Sequence, residues 1–516
     1  MTTPLHIAFD NTYARELPDF YRTWKPTPAP APKCLFFNDR LARTLGLDFS
    51  GQSPQALAAF FSGNQLPDGA FPLAQVYAGH QFGGFSPQLG DGRALLIGEI
   101  LTPQGARYDL AFKGSGRTPF SRNGDGKAAL GPMLREALIS EALHALGIPT
   151  TRTLAVIGTG EPVYRETVLP GANLTRIAAS HIRVGTFEYF AARGETQHVK
   201  ALTDYTIARH YPELTGSRTC YLDLLAAVCE RQAALVAQWQ HVGFIHGVMN
   251  TDNMTLSGET IDFGPCAFME AFDPNTVFSS IDRQGRYAYG NQPSIAQWNL
   301  ARLAETLLPL LAERQEEAIA LATEIIHQFP EKFARHWLQG ARRKLGFETA
   351  PEQEREQAQI DLQLTQDWLA LLQKDKADFT LSWRALADAA EGNLAPLQAQ
   401  IHDREALQSW VDRWKLRCAE HDHRYEHTLV TPSSALESSC DARRANAIRA
   451  ANPWIIPRNQ RVEEALTAAS ESGDLSPFET LLEALRHPFE ENSVYRSLAQ
   501  PATAAFTSGY RTFCGT

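Results

Sequence analysis

Apolar positions change their period along this chain, and the changes mark out its elements. Ala94 to Ile100 reads as a strand, and Tyr108-Asp-Leu-Ala-Phe-Lys113 alternates as a half-buried strand that ends in a lysine. PMLREALISEALHALG places Leu134, Ala137, Leu138 and Ala145 on one stripe, with Pro132 at its start and Gly147 as its stop, predicting a helix. TRTLAVIG and EPVYRETVL, joined by Thr-Gly, predict a β-hairpin. In NLTRIAASHIRVGTFEYFAARG a helical reading puts Arg176 and Arg183 two turns apart on one face, where phosphate contact and plain solvation are both open. LDLLAAVCERQAALVAQWQHVGF is a long amphipathic helix, and Leu300, Leu303, Leu307, Leu310 and Leu311 form a later stripe. Helical patterns dominate from residue 315 onward.

Glycine and proline punctuate this order. The Pro-rich KPTPAPAPK breaks the first 75 residues before a long period develops, so they read as an N-terminal wrap with an extended strap. VYAGHQFGGFSPQLGDGRALLIGEI then sets several glycines ahead of a strand, which permits close approach of backbone to phosphate.

Residues 243–264, GFIHGVMNTDNMTLSGETIDFG, carry the densest chemistry. Met254-Thr255-Leu256 and Thr260-Ile261 predict a short hairpin around Ser257-Gly258-Glu259, bringing Asn253 and Asp262 to the same end. Asp262-Phe263-Gly264 matches the kinase Asp-Phe-Gly. Asn253 matches the catalytic-loop Asn that shares a divalent ion with it, and His246 stands where His-Arg-Asp would begin. The kinase base lies five residues before that Asn, and here the position is Val248, which accepts no proton. Asp252 is the nearest carboxylate. Upstream, Lys113 takes the position of a β3 lysine. Glu136, 23 residues later in the helix, is its expected ion-pair partner in preference to Glu141, because the two glutamates face apart.

The expected fold class is therefore α+β, a protein-kinase-like two-lobed fold. Its expected parts are the wrap (1–75), a small lobe (76–170), a large lobe with the metal loop (171–315) and a mostly helical C-terminal extension (316–516). Composition agrees with a globular enzyme, at 44% hydrophobic and 21% charged residues. A net charge of −10 argues against a nucleic-acid partner. No run approaches a membrane span, and seven cysteines without C-x-x-C spacing point to a reducing compartment, so a bacterial cytoplasm is expected.

YAGHQFGGFSPQLGDGRA, AFKGSGRTPFSRNGDGKAALGPMLREALISEALHALGIPTTR, HGVMNTDNM, DFGPCAF and NPWIIPRNQRVEEA together closely resemble the selenoprotein O (SelO/YdiU) family over most of the chain. The resemblance implies a protein nucleotidyltransferase that moves AMP from ATP to Ser, Thr or Tyr hydroxyls of proteins. For bacterial members it also implies UMP transfer from UTP with Mn²⁺. It implies a nucleotide reversed relative to kinases, with contacts at Gly90, Gly92, Arg93, Lys113, Asp125, Gly126, Arg176, Arg183 and Asp262. Asp252 would be the base, and Asn253 and Asp262 would hold Mg²⁺ or Mn²⁺. A terminal cysteine has been associated with a redox switch in the family. Here Cys514 is terminal and Cys266 is the one cysteine near the Asp-Phe-Gly. The competing readings are an ATP-dependent kinase acting on hydroxyls and an inactive scaffold, the latter favoured by Val248.

Overall fold

Among the described residues twelve strands lie before residue 269: β1 (Tyr21–Thr23), β2 (Lys33–Phe37), β3 (Leu73–Gln75), β4 (Gly79–Gln81), β5 (Gly84–Ser86), β6 (Ala94–Leu101), β7 (Arg107–Lys113), β8 (Ala128–Ala129), β9 (Arg152–Tyr164), β10 (Val168–Ala178), β11 (Phe244–Ile245) and β12 (Ala267–Phe268). They come from a computed structural model that describes residues 7–347, 355–428 and 440–513. The main sheet runs β1-β3-β6-β7-β10-β9-β2 with β8 beside β10, and every pairing in it is antiparallel. The fold is mixed α+β, with the helices concentrated after residue 178. Residues of the expected wrap supply both edge strands, β1 and β2.

Two local expectations are corrected. The Thr-Gly at 159–160 is carried within β9, with Gly160 at φ +79°, and the turn falls at 165–167, where Arg165 N donates to Thr167 O at 3.0 Å. The residues expected to be helical around Arg176 are therefore strand β10, paired on one side with β7 and on the other with β9. Leu174, Thr175, Arg176 and Ile177 are all buried, so the strand has no polar face, and its pattern does not separate strand from helix. Arg183 lies just beyond, at the N-cap of the helix Val184–Ala191.

The second correction is in the loop before the Asp-Phe-Gly. Thr255 bridges Arg183, and Thr260 bridges Thr150, so the two runs pair with the rest of the molecule instead of with each other. Thr255 Oγ1 helps close the turn, donating to Glu259 O at 2.7 Å and accepting from Glu259 N at 3.0 Å, and Ser257 Oγ donates to Glu259 Oε2 at 3.0 Å.

The C-terminal helices share two cores with the residues before them. Ile245, Met269, Phe272 and Tyr289 pack with Trp368, Phe379, Trp383 and Trp410. Leu134, Leu138 and Leu174 pack with Val462, Leu466, Phe478 and Leu482. Arg458, fully buried, joins the two regions. Its Nη1 donates to Glu270 at 2.6 Å and to Asp378 at 2.7 Å, and its Nε donates to Ala499 O at 3.1 Å. The Asn459 side chain pairs with the Phe268 backbone through both its oxygen (3.2 Å) and its nitrogen (2.8 Å). Among the described residues no helix is long and apolar enough to cross a membrane.

Candidate active site

A cavity of about 760 Å³ opens between the main sheet and the loop that ends in Asp-Phe-Gly. Its lining includes Gly90, Gly92, Arg93, Lys113, Asp125, Gly126, Glu136, Arg176, Arg183, Asp252, Asn253 and Asp262, whereas His246 is buried behind it with Nε2 2.9 Å from Ile261 O. Topology brings the lining together. β7 delivers Lys113, its neighbour β10 delivers Arg176, and the helix Leu130–Ala145 crosses behind them carrying Glu136.

Three cations and two carboxylates interlock on the cavity floor. Lys113 Nζ lies 2.7 Å from Glu136 and 2.9 Å from Asp262. Arg176 donates through Nε to Glu136 at 2.9 Å and through Nη2 to Asp262 at 2.6 Å. Arg183 donates through Nη1 to the other Asp262 oxygen at 2.8 Å and to the Asp252 carbonyl at 2.6 Å. Burial alone would push the Asp262 carboxyl up, but Arg176, Lys113 and Arg183 outweigh it and hold the group well below the usual carboxylate range. Glu136 is lowered too, burial being outweighed by Arg176 and Lys113. Glu141 faces elsewhere, meeting Arg152 through two bonds of 2.6 Å. Asp262 itself sits at φ +63°, in the left-handed region that Asp and Asn tolerate better than most residues.

Asp252 stands in a different environment. The single 3-10 turn Thr251–Asn253 presents it to the cavity, where Gln81 Nε2 donates to its Oδ2 at 3.1 Å. Its Oδ1 is buried and has no hydrogen-bond partner. Burial raises the carboxyl to about 6, against the Gln81 bond and the Arg183 charge that favour ionisation. Gly79 makes the room, since a Cβ there would lie 2.6 Å from that Oδ1. Val248 also lines the cavity and accepts the Asn253 side-chain amide on its carbonyl at 3.0 Å, which leaves the Asn253 oxygen as an acceptor.

The outer wall is a turn. Gly126, at φ +69°, runs so close to Gly116 that a Cβ would fall 2.1 Å from the Gly116 carbonyl oxygen. Asp125 shapes this turn by accepting Lys127 N at 2.9 Å, and it pairs with Arg165 at 2.9 and 3.1 Å. Hydrogen bonding from Arg165 lowers its carboxyl. Arg93 has a buried, unpartnered Nη1. Sequence reasoning missed Tyr77, whose ring lies 4.9 Å from the Arg183 guanidinium, and Gln81, Asn250 and Arg165, whose roles depend on partners far along the chain.

The oxygens of Asn253 and Asp262 suit a hard cation. No cluster of three or more His, Cys, Asp or Glu among the described residues is arranged to hold a metal by itself. Magnesium in nucleotide sites takes one or two protein oxygens and completes its shell with phosphate and water, so a two-residue donor set fits it. Cys266 is buried, its Sγ 3.1 Å from Phe263 O, and burial pushes its thiol up to about 12. Cys514 lies outside the described residues.

A sequence model of the family described as protein adenylyltransferase SelO matches residues 4–486. The chain is similar to the protein nucleotidyltransferase YdiU of Chromobacterium violaceum, with 57% identity over 501 residues, 97% of this chain and 100% of the relative. It is 55% identical over 509 residues to the protein of that name from Cereibacter sphaeroides, covering 98% and 99% of the two chains. The Rhizobium rhizogenes counterpart is 52% identical over 512 residues, 99% and 97% of the two chains.

Proposed function

Because this chain belongs to the SelO family of protein adenylyltransferases, and is thereby a protein nucleotidyltransferase, we propose that its cavity transfers AMP from ATP to Ser, Thr or Tyr hydroxyls of proteins, with Asp252 as the base. The observation that carries this reading is the pair Val248 and Asp252. Both line the cavity, and of the two only Asp252, with its unpartnered Oδ1, can take a proton. The sheet crossed by a helix carrying the Lys113–Glu136 pair supports a kinase-like, two-lobed arrangement, and UTP is a second donor the same floor would accept.

The roles follow from charge and reach. Lys113, Arg176 and Arg183 bring three positive charges to a floor that holds two carboxylates, an excess that favours the terminal phosphates of a nucleotide. With those phosphates on the floor, the α-phosphorus faces Asp252. Asp252 takes the proton of the acceptor hydroxyl as its oxygen attacks that phosphorus. The bond from phosphorus to the β-bridging oxygen breaks, and pyrophosphate leaves against the three cations. Asn253 and Asp262 would hold a divalent cation, Mg²⁺ or Mn²⁺, which when bound neutralises phosphate charge. A cytoplasmic setting suits a nucleotide-dependent enzyme of this composition.

ATP labelled separately at its α- and γ-phosphates tests the proposal. Label on protein from the α position is the expected result. Label from the γ position instead would make the enzyme a kinase, the reading that the Lys113–Glu136 pair favours, and label from neither would leave a scaffold.

A further inference from the structure

Beside the cavity mouth, the β4–β5 hairpin holds two exposed rings, Phe82 at 38% and Phe85 at 42%, and Phe82 also lines the cavity. The hairpin is built into the site. Phe82 N donates to Asn250 Oδ1 at 3.2 Å and to Tyr287 Oη at 3.1 Å, while Gln81 holds Asp252. Next to the tip, the Arg286 guanidinium lies over the Trp298 ring at 4.8 Å, and Arg302 lies over the same ring at 5.0 Å. Arg302 has Glu305 at 2.7 Å, but among the described residues Arg286 forms no ion pair and its Nε is buried without a partner. The nearby carboxylates are already engaged: Asp282 accepts the backbone N–H groups of Arg286 and Tyr287, and Glu188 holds His80 and Thr251.

We propose that this rim is the docking surface for the acceptor, and that it selects an extended, acidic polypeptide segment with an apolar residue near the hydroxyl. The inference rests on the reading of Asp252 as the base. Its own ground is charge complementarity: a cation stacked on an aromatic ring, unpaired in a protein of net charge −10, next to exposed apolar rings at the reacting end of the cavity. The spacing sets the register. Gln81 touches Asp252, and Gly83 adjoins Arg286, whose Cζ would lie 3.7 Å from a Cβ at Gly83. Gln81 and Gly83 are two residues apart around the hairpin tip, at most about 7 Å along the backbone, which puts an extended acceptor's carboxylate within about three residues of its hydroxyl.

Fluorescein-labelled peptides with one Ser, an adjacent Phe and either Glu or Lys three residues away test this by anisotropy, with the full-length protein. The Glu peptide should bind on the order of tenfold more tightly than the Lys peptide, the weight of one charge-assisted contact at a half-exposed site. Arg286→Glu should reverse that order while leaving ATP affinity unchanged, and Arg286→Gln, which keeps much of the side-chain volume, should abolish the preference. Equal affinities, including no binding of either peptide up to millimolar concentration, or a preference that survives both substitutions, would overturn the proposal. Measuring α-label transfer to the same peptides separates the two readings. Preference without transfer removes the chemistry assigned to Asp252 and keeps the docking surface, whereas transfer without preference does the opposite.

Discussion

Arg176 and Arg183 grip opposite oxygens of one carboxylate, that of Asp262, although the first lies within a strand and the second caps a helix. The grip makes them unequal as targets for substitution. Arg176 also holds Glu136 Oε1 in the core, so Arg176→Ala leaves that buried oxygen without a donor and Lys113 as the carboxylate's remaining cation, and should cost about 1 to 3 kcal/mol of stability. Arg183→Ala leaves Glu136 with both its cations. It should weaken ATP by about 1.5 to 3 kcal/mol and AMP much less, as calorimetry with both nucleotides would show. Equal weakening would make Arg183 structural.

Lys113 should affect transfer far more than folding. Arg176 continues to neutralise Glu136 and Asp262 when Lys113 becomes Met, so the unfolding midpoint should move little while α-label transfer falls by about 10²-fold or more. A large loss of stability with normal transfer would reverse that assignment.

For Asp262 the informative change is to Asn. Its backbone at φ +63° suits Asn better than Ala, so Asp262→Asn should fold while losing the charge that a divalent ion and three cations share. Transfer should be lost, and titration with Mn²⁺ and ATP should show weaker metal binding. Full activity in the folded variant would remove Asp262 from the site.

If Asp252 is the proposed base, Asp252→Ala should lower turnover by about 10² to 10⁴ with little change in nucleotide affinity, because a base acts on the acceptor. If metal or nucleotide binding falls in parallel with turnover, Asp252 is a ligand or a loop anchor instead of a base.

Lys344 gives the protein a pH signature away from the cavity. It is 3% exposed, donates to His241 O at 2.6 Å and lies over the rings of Trp383 and Phe379, and burial lowers its ammonium to about 7. Below pH 7 the folded and unfolded chains both carry the proton, and the folded state bears the full cost of burying it. Between about pH 7 and the ordinary lysine range only the unfolded chain keeps the proton, so folding gains stability as pH rises. Relative to Lys344→Met, the wild type should gain about 3 kcal/mol from pH 6 to 9.5 in denaturant titrations. A constant difference would show that Lys344 keeps its charge throughout.

These residues also show how far the sequence could be read. Lys113 was legible as the end of a strand, although that strand is not half-buried as its sequence suggests, Asp109, Leu110, Ala111 and Phe112 all being enclosed, and Glu136 was legible because helix geometry turns Glu141 away. The element carrying Arg176 was not, since β10 is buried on both faces and has no period to display. Nor was the setting of Asp252. Gln81 meets it across 171 residues, and no local pattern encodes an encounter of that span. The short runs around Ser257 had hairpin character but found better partners in Arg183 and Thr150, a tertiary choice that overrides local propensity.

Arg458 reaches back 188 residues to seize Glu270, a few positions beyond the Asp-Phe-Gly, and is itself wholly enclosed. A guanidinium enclosed in this way, with carboxylates from two distant stretches, cannot lose one of them without stranding the other charges. A fragment ending before Arg458 would leave Glu270 buried without its guanidinium, so the segment after the Asp-Phe-Gly should not keep its place in a fusion that lacks the C-terminal helices.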